Sequence, residues 1–268
     1  MIDKRELLLN QIIKEYISTP EPIGSEYLKL KLSIKISSAT IRNYFKILSD
    51  EGKLEQLHIS SGRVPTDSAL KLFWKQNLSP LEKIGLPKDS EPRIKEGARK
   101  NKLFCIVKFY KPNCLKEVVN VNNKYLLAGF DSGEVAMPYH ASLERFLKEL
   151  IDMEINDLIR VADEVCAHSL RDRLRALNTE EEGTIKEGSS ELISMASIDK
   201  PMSEHFEEYL SGTIMDKVAD GIYFSQIVPA GFMAIKQDIS IDEKDAKMML
   251  IGRLFRNYSK FYSFIKET

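Results

Sequence analysis

Ser37-Ser38-Ala39-Thr40 is followed by Arg42 and Asn43, with Lys46 one turn further on. Short polar side chains at a helix start let a backbone come close to an anion, which the free amides and the helix dipole favour. An arginine fork matches the O6/N7 edge of guanine, and a carboxamide matches the N6/N7 edge of adenine. A second group, His58-Ile59-Ser60-Ser61-Gly62-Arg63, has the small residues of a tight turn. Its amides and guanidinium can meet a phosphate or enter a minor groove. Both groups also fit an ordinary solvated surface, with Arg42 paired to Asp50 or Glu51.

The surrounding pattern supplies the elements that would hold them. Leu8, Ile12 and Tyr16 recur at a spacing of four, as do Leu9, Ile13 and Ile17, which predicts a helix over 4–18. Pro20 and Pro22 end it, since proline lacks the amide a helix needs. Ser25 is read as the N-cap of a short helix over 26–32, and Ser37 or Ser38 as the cap of a third helix running to Glu51. The apolar stripe Ile41, Phe45, Leu48 turns the Ser/Thr/Arg/Asn/Lys face outward. Residues 53–59 alternate like a strand, Arg63-Val64 returns as a second, and Thr66 or Asp67 caps a helix to Gln76. The order over 1–78 is helix, helix, helix, strand, turn, strand, helix, that of a winged helix-turn-helix.

Charge distribution agrees weakly. Residues 1–78 hold 12 Lys/Arg against 9 Asp/Glu, whereas the rest holds 27 against 31, so a mildly basic module precedes an acidic body. The start Met-Ile-Asp-Lys-Arg-Glu lacks the apolar core of a signal peptide, and no run is apolar enough for an integral membrane segment, so a cytoplasmic protein is expected. Cys105, Cys114 and Cys166 form no paired framework and are expected to be buried or half-buried thiols.

Three linked stretches carry a family resemblance: Glu21-Pro22-Ile23-Gly24-Ser25, Ser38-Ala39-Thr40-Ile41-Arg42-Asn43, and Leu54-Glu55-Gln56-Leu57-His58-Ile59-Ser60-Ser61-Gly62-Arg63-Val64-Pro65-Thr66. In order and spacing they resemble the signature of the HrcA repressors. The resemblance implies that Thr40, Arg42 and Asn43 lie on a recognition helix and that His58, Ser60, Gly62 and Arg63 belong to a wing. It also implies a homodimer on double-stranded DNA at the CIRCE inverted repeat upstream of chaperone operons, modulation by the chaperonin GroEL, release on heat stress, and association with the nucleoid. This sequence departs from the pattern at Pro20, at Leu57 and Ile59 around His58, and at Ala69-Leu70-Lys71-Leu72-Phe73, and is short for the family.

Residues 79–102, with three prolines and a basic run, read as a linker. Beyond it, strands are expected at 104–110 and within 118–130, helices at 141–152 and 155–177, and a polar connector at 178–191. Strands at 221–228 and 231–237 and a final helix over 242–266 follow, making an α+β domain over 103–268. The resemblance makes this domain GAF-like, with a shortened inserted dimerising segment expected near 178–215. No cofactor fingerprint, metal cluster or acid–base constellation is visible: His140, His168 and His205 lie far apart, and Cys166 is read as core. An enzyme is therefore not expected. The alternative is a winged helix that docks protein or RNA, with a C-terminal sensor domain.

Overall fold

A computed structural model describes residues 4–58, 61–78, 82–110, 113–178 and 181–267. The chain opens with α1 (Lys4–Ser18), α2 (Ser25–Lys31) and α3 (Ser38–Asp50), then β1 (Leu54–Glu55), β2 (Val64–Pro65) and α4 (Asp67–Leu78). Leu8, Ile12, Leu28, Ile41 and Leu48 are fully buried where these helices meet. The ribbon is shorter than its alternation predicts. Leu54 and Glu55 pair with Pro65 and Val64, but Leu57 and His58 already lie in a bend. Ser61 causes that bend, because its hydroxyl and amide both close onto His58 (Ser61 Oγ to His58 O 2.8 Å, Ser61 N to His58 O 2.9 Å).

The stretch expected as a linker is built into the body. Within it β3 (Ile84–Leu86) runs parallel to a central strand, and α5 (Ser90–Asn101) packs its buried Ile94, Gly97 and Ala98 inward. The basic residues that suggested an extended segment are the solvent face of α5, where Lys95 pairs with Glu91, Lys100 with Glu96 and Arg99 with Glu187. Next comes β4 (Phe104–Tyr110).

Residues 113–178 leave the main sheet and return beside the point of departure. They form β5 (Leu115–Val121), β6 (Tyr125–Phe130), β7 (Gly133–Pro138), α6 (Ala141–Glu149), α7 (Ile155–Glu164) and α8 (His168–Leu177). The three strands make their own antiparallel sheet with its own core, including Leu115, Leu126, Phe130, Leu147, Leu158 and Leu174. Residues 113–178 thus form a separately cored unit between β4 and the next strand of the main sheet, while the stretch near 178–215, where an insert is expected, supplies that strand and helices that pack on the same sheet. The helix expected over 155–177 is two helices, because Cys166 takes a left-handed φ of 57° between α7 and α8.

After the insertion β8 (Glu181–Glu187) pairs antiparallel with β4. There follow α9 (Ser189–Ala196), α10 (Lys200–Glu204), α11 (Phe206–Ser211), a 3-10 turn over Thr213–Lys217, β9 (Gly221–Tyr223), β10 (Phe232–Ile241), β11 (Lys244–Arg253) and α12 (Tyr258–Lys266). The mixed sheet runs β3-β10-β11-β4-β8, with β9 also on β10. The chain is thus α+β. Residues 244–253, expected as the start of a last helix, are the central strand β11. Both of its faces are covered from Met248 to Ile251, so it shows the continuous apolar run of a buried strand and no alternation. Asp242 and Glu243, with φ of 53° and 65°, make the two-residue turn that joins it to β10.

One face of the sheet, with Cys105, Val107, Ile235 and Leu250, packs on α5 and α12 and is continuous with the core of the first four helices. The other face, with Phe104, Ile106, Phe232 and Met249, packs on α9, α11 and the methionines Met195, Met202 and Met215.

Candidate nucleic-acid interface

The polar face of α3 starts at Ser37, whose hydroxyl accepts the Thr40 amide at 3.1 Å and lies 2.8 Å from the Thr40 hydroxyl. The two hydroxyls thus fix the first turn. Ala39, Thr40, Arg42, Asn43 and Lys46 are exposed and Ser38 is half-buried, while Ile41, Phe45 and Leu48 point into the core. Ala39 between polar neighbours leaves the helix backbone accessible, as close approach to a groove requires.

Arg42 is held by α2. Its Nε donates to Ser25 Oγ at 3.2 Å, and its Nη2 lies 3.8 Å from Glu26 Oε1. Glu51, one of the partners considered from sequence, instead takes Arg5 at 3.1 Å and Lys53 at 2.8 Å. Ser25 is not the N-cap of α2. Gly24 holds that position and makes no side-chain cap, so the Ser25 hydroxyl is left to Arg42. Ser25 is the neighbour of the candidate site that reading local helix signals missed; its place in the Glu21–Ser25 motif was the available signal.

The turn after β1 is tied to the same corner. Ile23 and Arg63 form an antiparallel bridge, Ile23 N to Arg63 O at 2.8 Å and Arg63 N to Ile23 O at 2.9 Å. This approach works because Gly62 has no side chain: a Cβ there would sit 2.4 Å from the Ile23 oxygen. The three motifs are therefore in mutual contact, the first braced against the third through Ile23 and Arg63 and against the second through Ser25 and Arg42. His58 and Leu57 are exposed in the bend, Ser61 spends its hydroxyl within the turn, and the Gln56 amide donates to Ser61 O at 3.2 Å. Arg63 is half-buried, and its Nε has no hydrogen-bond partner among the described residues. Ser60 lies outside the described residues.

Elsewhere the histidines stay apart. His140 meets Ser142, His168 meets Arg171 and His205 meets Glu208. Cys105 is buried and its thiol is pushed up by burial; Cys114 is half-buried, and Cys166 is exposed and not part of the core. Among the described residues no group of three His, Cys, Asp or Glu side chains could hold a metal ion, and no helix is long and apolar enough to cross a membrane.

Comparison with known proteins places these features in context. Residues 74–268 match the family described as the HrcA C-terminal domain. The heat-inducible transcription repressor HrcA of Helicobacter pylori (strain 26695) is 29% identical over 269 residues, covering 99% of this chain and 96% of that protein. HrcA of Clostridium perfringens (strain SM101) is 49% identical over 74 residues, covering 27% of this chain and 22% of that one. A crystal structure of a hypothetical protein superposes with a TM-score of 0.54 at 18% identity, covering 99% of this chain and 95% of that one, which shows a shared fold.

Proposed function

The chain belongs to the HrcA family, and from that premise we propose that it is a cytoplasmic, heat-inducible transcription repressor whose residues 1–78 form a winged helix-turn-helix. In this reading α3 enters the major groove, α2 crosses the backbone behind it, and the bend after β1 is the wing. Thr40, Arg42, Asn43 and Lys46 face the bases and phosphates. His58, Gly62 and Arg63 serve the wing, with Ser37, Ser38 and Ser61 shaping the two loops. Ser60 completes the wing by its place in the motif.

The remainder is a GAF-like domain, entered at 84–86 and interrupted by the dimerising unit over 113–178. A dimer has a physical motive, since one winged helix reads a single short half-site whereas a two-fold pair reads an inverted repeat. The inserted sheet offers a surface for it. The helices α6 to α8 cover one face, and on the other Val119, Val121, Tyr125, Ala136 and Pro138 stay exposed. The operator is a CIRCE-type repeat, and GroEL modulates the repressor, as the family resemblance implies.

The observation that carries the proposal is the outer face of α3. A module that docks protein would offer an apolar or acidic surface there, and this one offers Thr40, Arg42, Asn43 and Lys46. Arg42→Ala should weaken binding to a CIRCE-type duplex about 10- to 100-fold while leaving a scrambled duplex within a few-fold. Equal losses on both duplexes would contradict base reading by α3.

A further inference from the structure

We infer that Ser25 and Glu26, the first turn of α2, are positioning residues that aim Arg42 at its base and withhold it from the phosphate backbone. The inference rests on the DNA-reading role proposed for α3. Helix α2 is ordinarily the element that braces, with no part in choosing sequence. Here its first residue carries a hydroxyl not used for capping, 3.2 Å from Arg42 Nε. The next carries a carboxylate 3.8 Å from Nη2, with both side chains mostly exposed (67% and 70%).

The holder is itself fixed. Leu28 is fully buried one turn further along α2, and the Ile23–Arg63 bridge ties down the residues just before it. A guanidinium has five N–H donors in a rigid plane. Anchoring Nε to a fixed hydroxyl sets that plane and leaves the terminal nitrogens for a two-point contact with a base edge. The side chain then loses less freedom when it binds. Glu26 acts differently. It competes with phosphate for the same nitrogens and repels a polyanion on its own account, so its cost falls on sequence-independent binding. A base edge, which brings directional acceptors and no full charge, is penalised less.

The test is a titration of the full-length protein against a fluorescent CIRCE-type inverted repeat and a scrambled duplex. Ser25→Ala should weaken binding to the repeat about 3- to 10-fold, as loss of one anchoring hydrogen bond does, and leave the scrambled duplex within about two-fold. Ser25→Thr should restore the wild-type value. In an Arg42→Ala background Ser25→Ala should add no further loss, since the two act as one unit. Glu26→Gln should tighten binding to the scrambled duplex more than to the repeat and steepen its salt dependence by about one phosphate equivalent. Additive losses from Ser25→Ala and Arg42→Ala, or a Ser25→Ala protein that still prefers the repeat as the wild type does, would overturn the holder and leave DNA reading intact. A wild-type protein with no preference would overturn both. Melting curves of each variant exclude a loss through unfolding: a Ser25→Ala protein that is folded and weak on both duplexes alike also overturns the holder.

Discussion

Trp74 of α4 donates its indole N–H to the backbone carbonyl of Leu254, 2.7 Å away and 180 positions later in the chain. The same ring meets Tyr258 edge-on at 5.2 Å, and Tyr16 of α1 meets Phe255 edge-on at 6.0 Å. Residues 254–258, the connection from β11 into α12, therefore hold the first four helices on the body. The outer face of α3 is carried by a unit that shares its core with the central sheet.

Removing this clamp should lower both stability and the temperature of operator release. Trp74→Phe keeps an aromatic ring but leaves the Leu254 carbonyl unpaired, at a cost of about 1–3 kcal/mol. Differential scanning calorimetry should show a lower Tm, and operator occupancy should fall at a correspondingly lower temperature. A Tm and release temperature equal to wild type would show that the contact does not couple the two parts.

Gly62→Ala is expected to be among the most damaging single-methyl changes in the reading unit. The new Cβ would face the backbone oxygen and carbon of Ile23 at 2.4 and 2.5 Å, and neither can swing aside as a side chain does. The Ile23–Arg63 bridge should open. Amide exchange at Ile23 and Arg63 should rise, and binding to the inverted repeat should drop. Unchanged exchange at those two amides would contradict the close approach.

The uncovered face of the inserted sheet supplies the dimer test. Val119→Lys places a charge on an exposed position (41%) opposite Leu127 and should leave the fold intact. Sedimentation should then show a monomer, and affinity for the repeat should fall toward that for a half-site. A Val119→Lys protein that remains dimeric would move the interface elsewhere.

A pH dependence follows from the seam between the inserted unit and the sheet. Glu154, which caps α7, lies 3.7 Å from Lys247 of β11. Burial pushes its carboxyl above the usual range, against the opposing pull of Lys247, with Asp157 adding to the rise. The folded protein thus holds this proton more tightly than the unfolded chain. The stabilisation from this group is full below the unfolded value of about 4.3 and is lost as pH rises through the folded pKa. Glu154→Gln should flatten the part of the stability–pH profile just above pH 4.3. Denaturant melts from pH 4 to 7 check this, and parallel profiles for the two proteins would contradict it.

The order of elements over 4–78 was legible because its signals are local. Helix stripes such as Ile41, Phe45 and Leu48, the proline stop after α1 and the Ser37 cap each report on a few neighbouring residues. The exposed face of α3 follows from the same stripe. The contact of Ser25 with Arg42 was not legible in local helix signals, since a serine at a helix start reads as a cap and only the packing of α2 on α3 reveals its partner. In the body, β11 was misread because burial on both faces erases the period of a strand. The linker was misread because the charges on α5 conceal a buried stripe of Ile94, Gly97 and Ala98, whose small residues let Phe261 come close. The boundaries of the unit over 113–178 depend on β4 pairing with β8 across at least 70 intervening positions, a long-range register that no local pattern encodes.

Sequence-specific repression is tested most directly by titrating the purified protein against a CIRCE-type inverted repeat and a scrambled duplex at two salt concentrations. A preference of about a thousandfold or more for the repeat, with both affinities falling steeply as salt rises, is the expected result. Equal affinity for the two duplexes, with or without added GroEL, would contradict it.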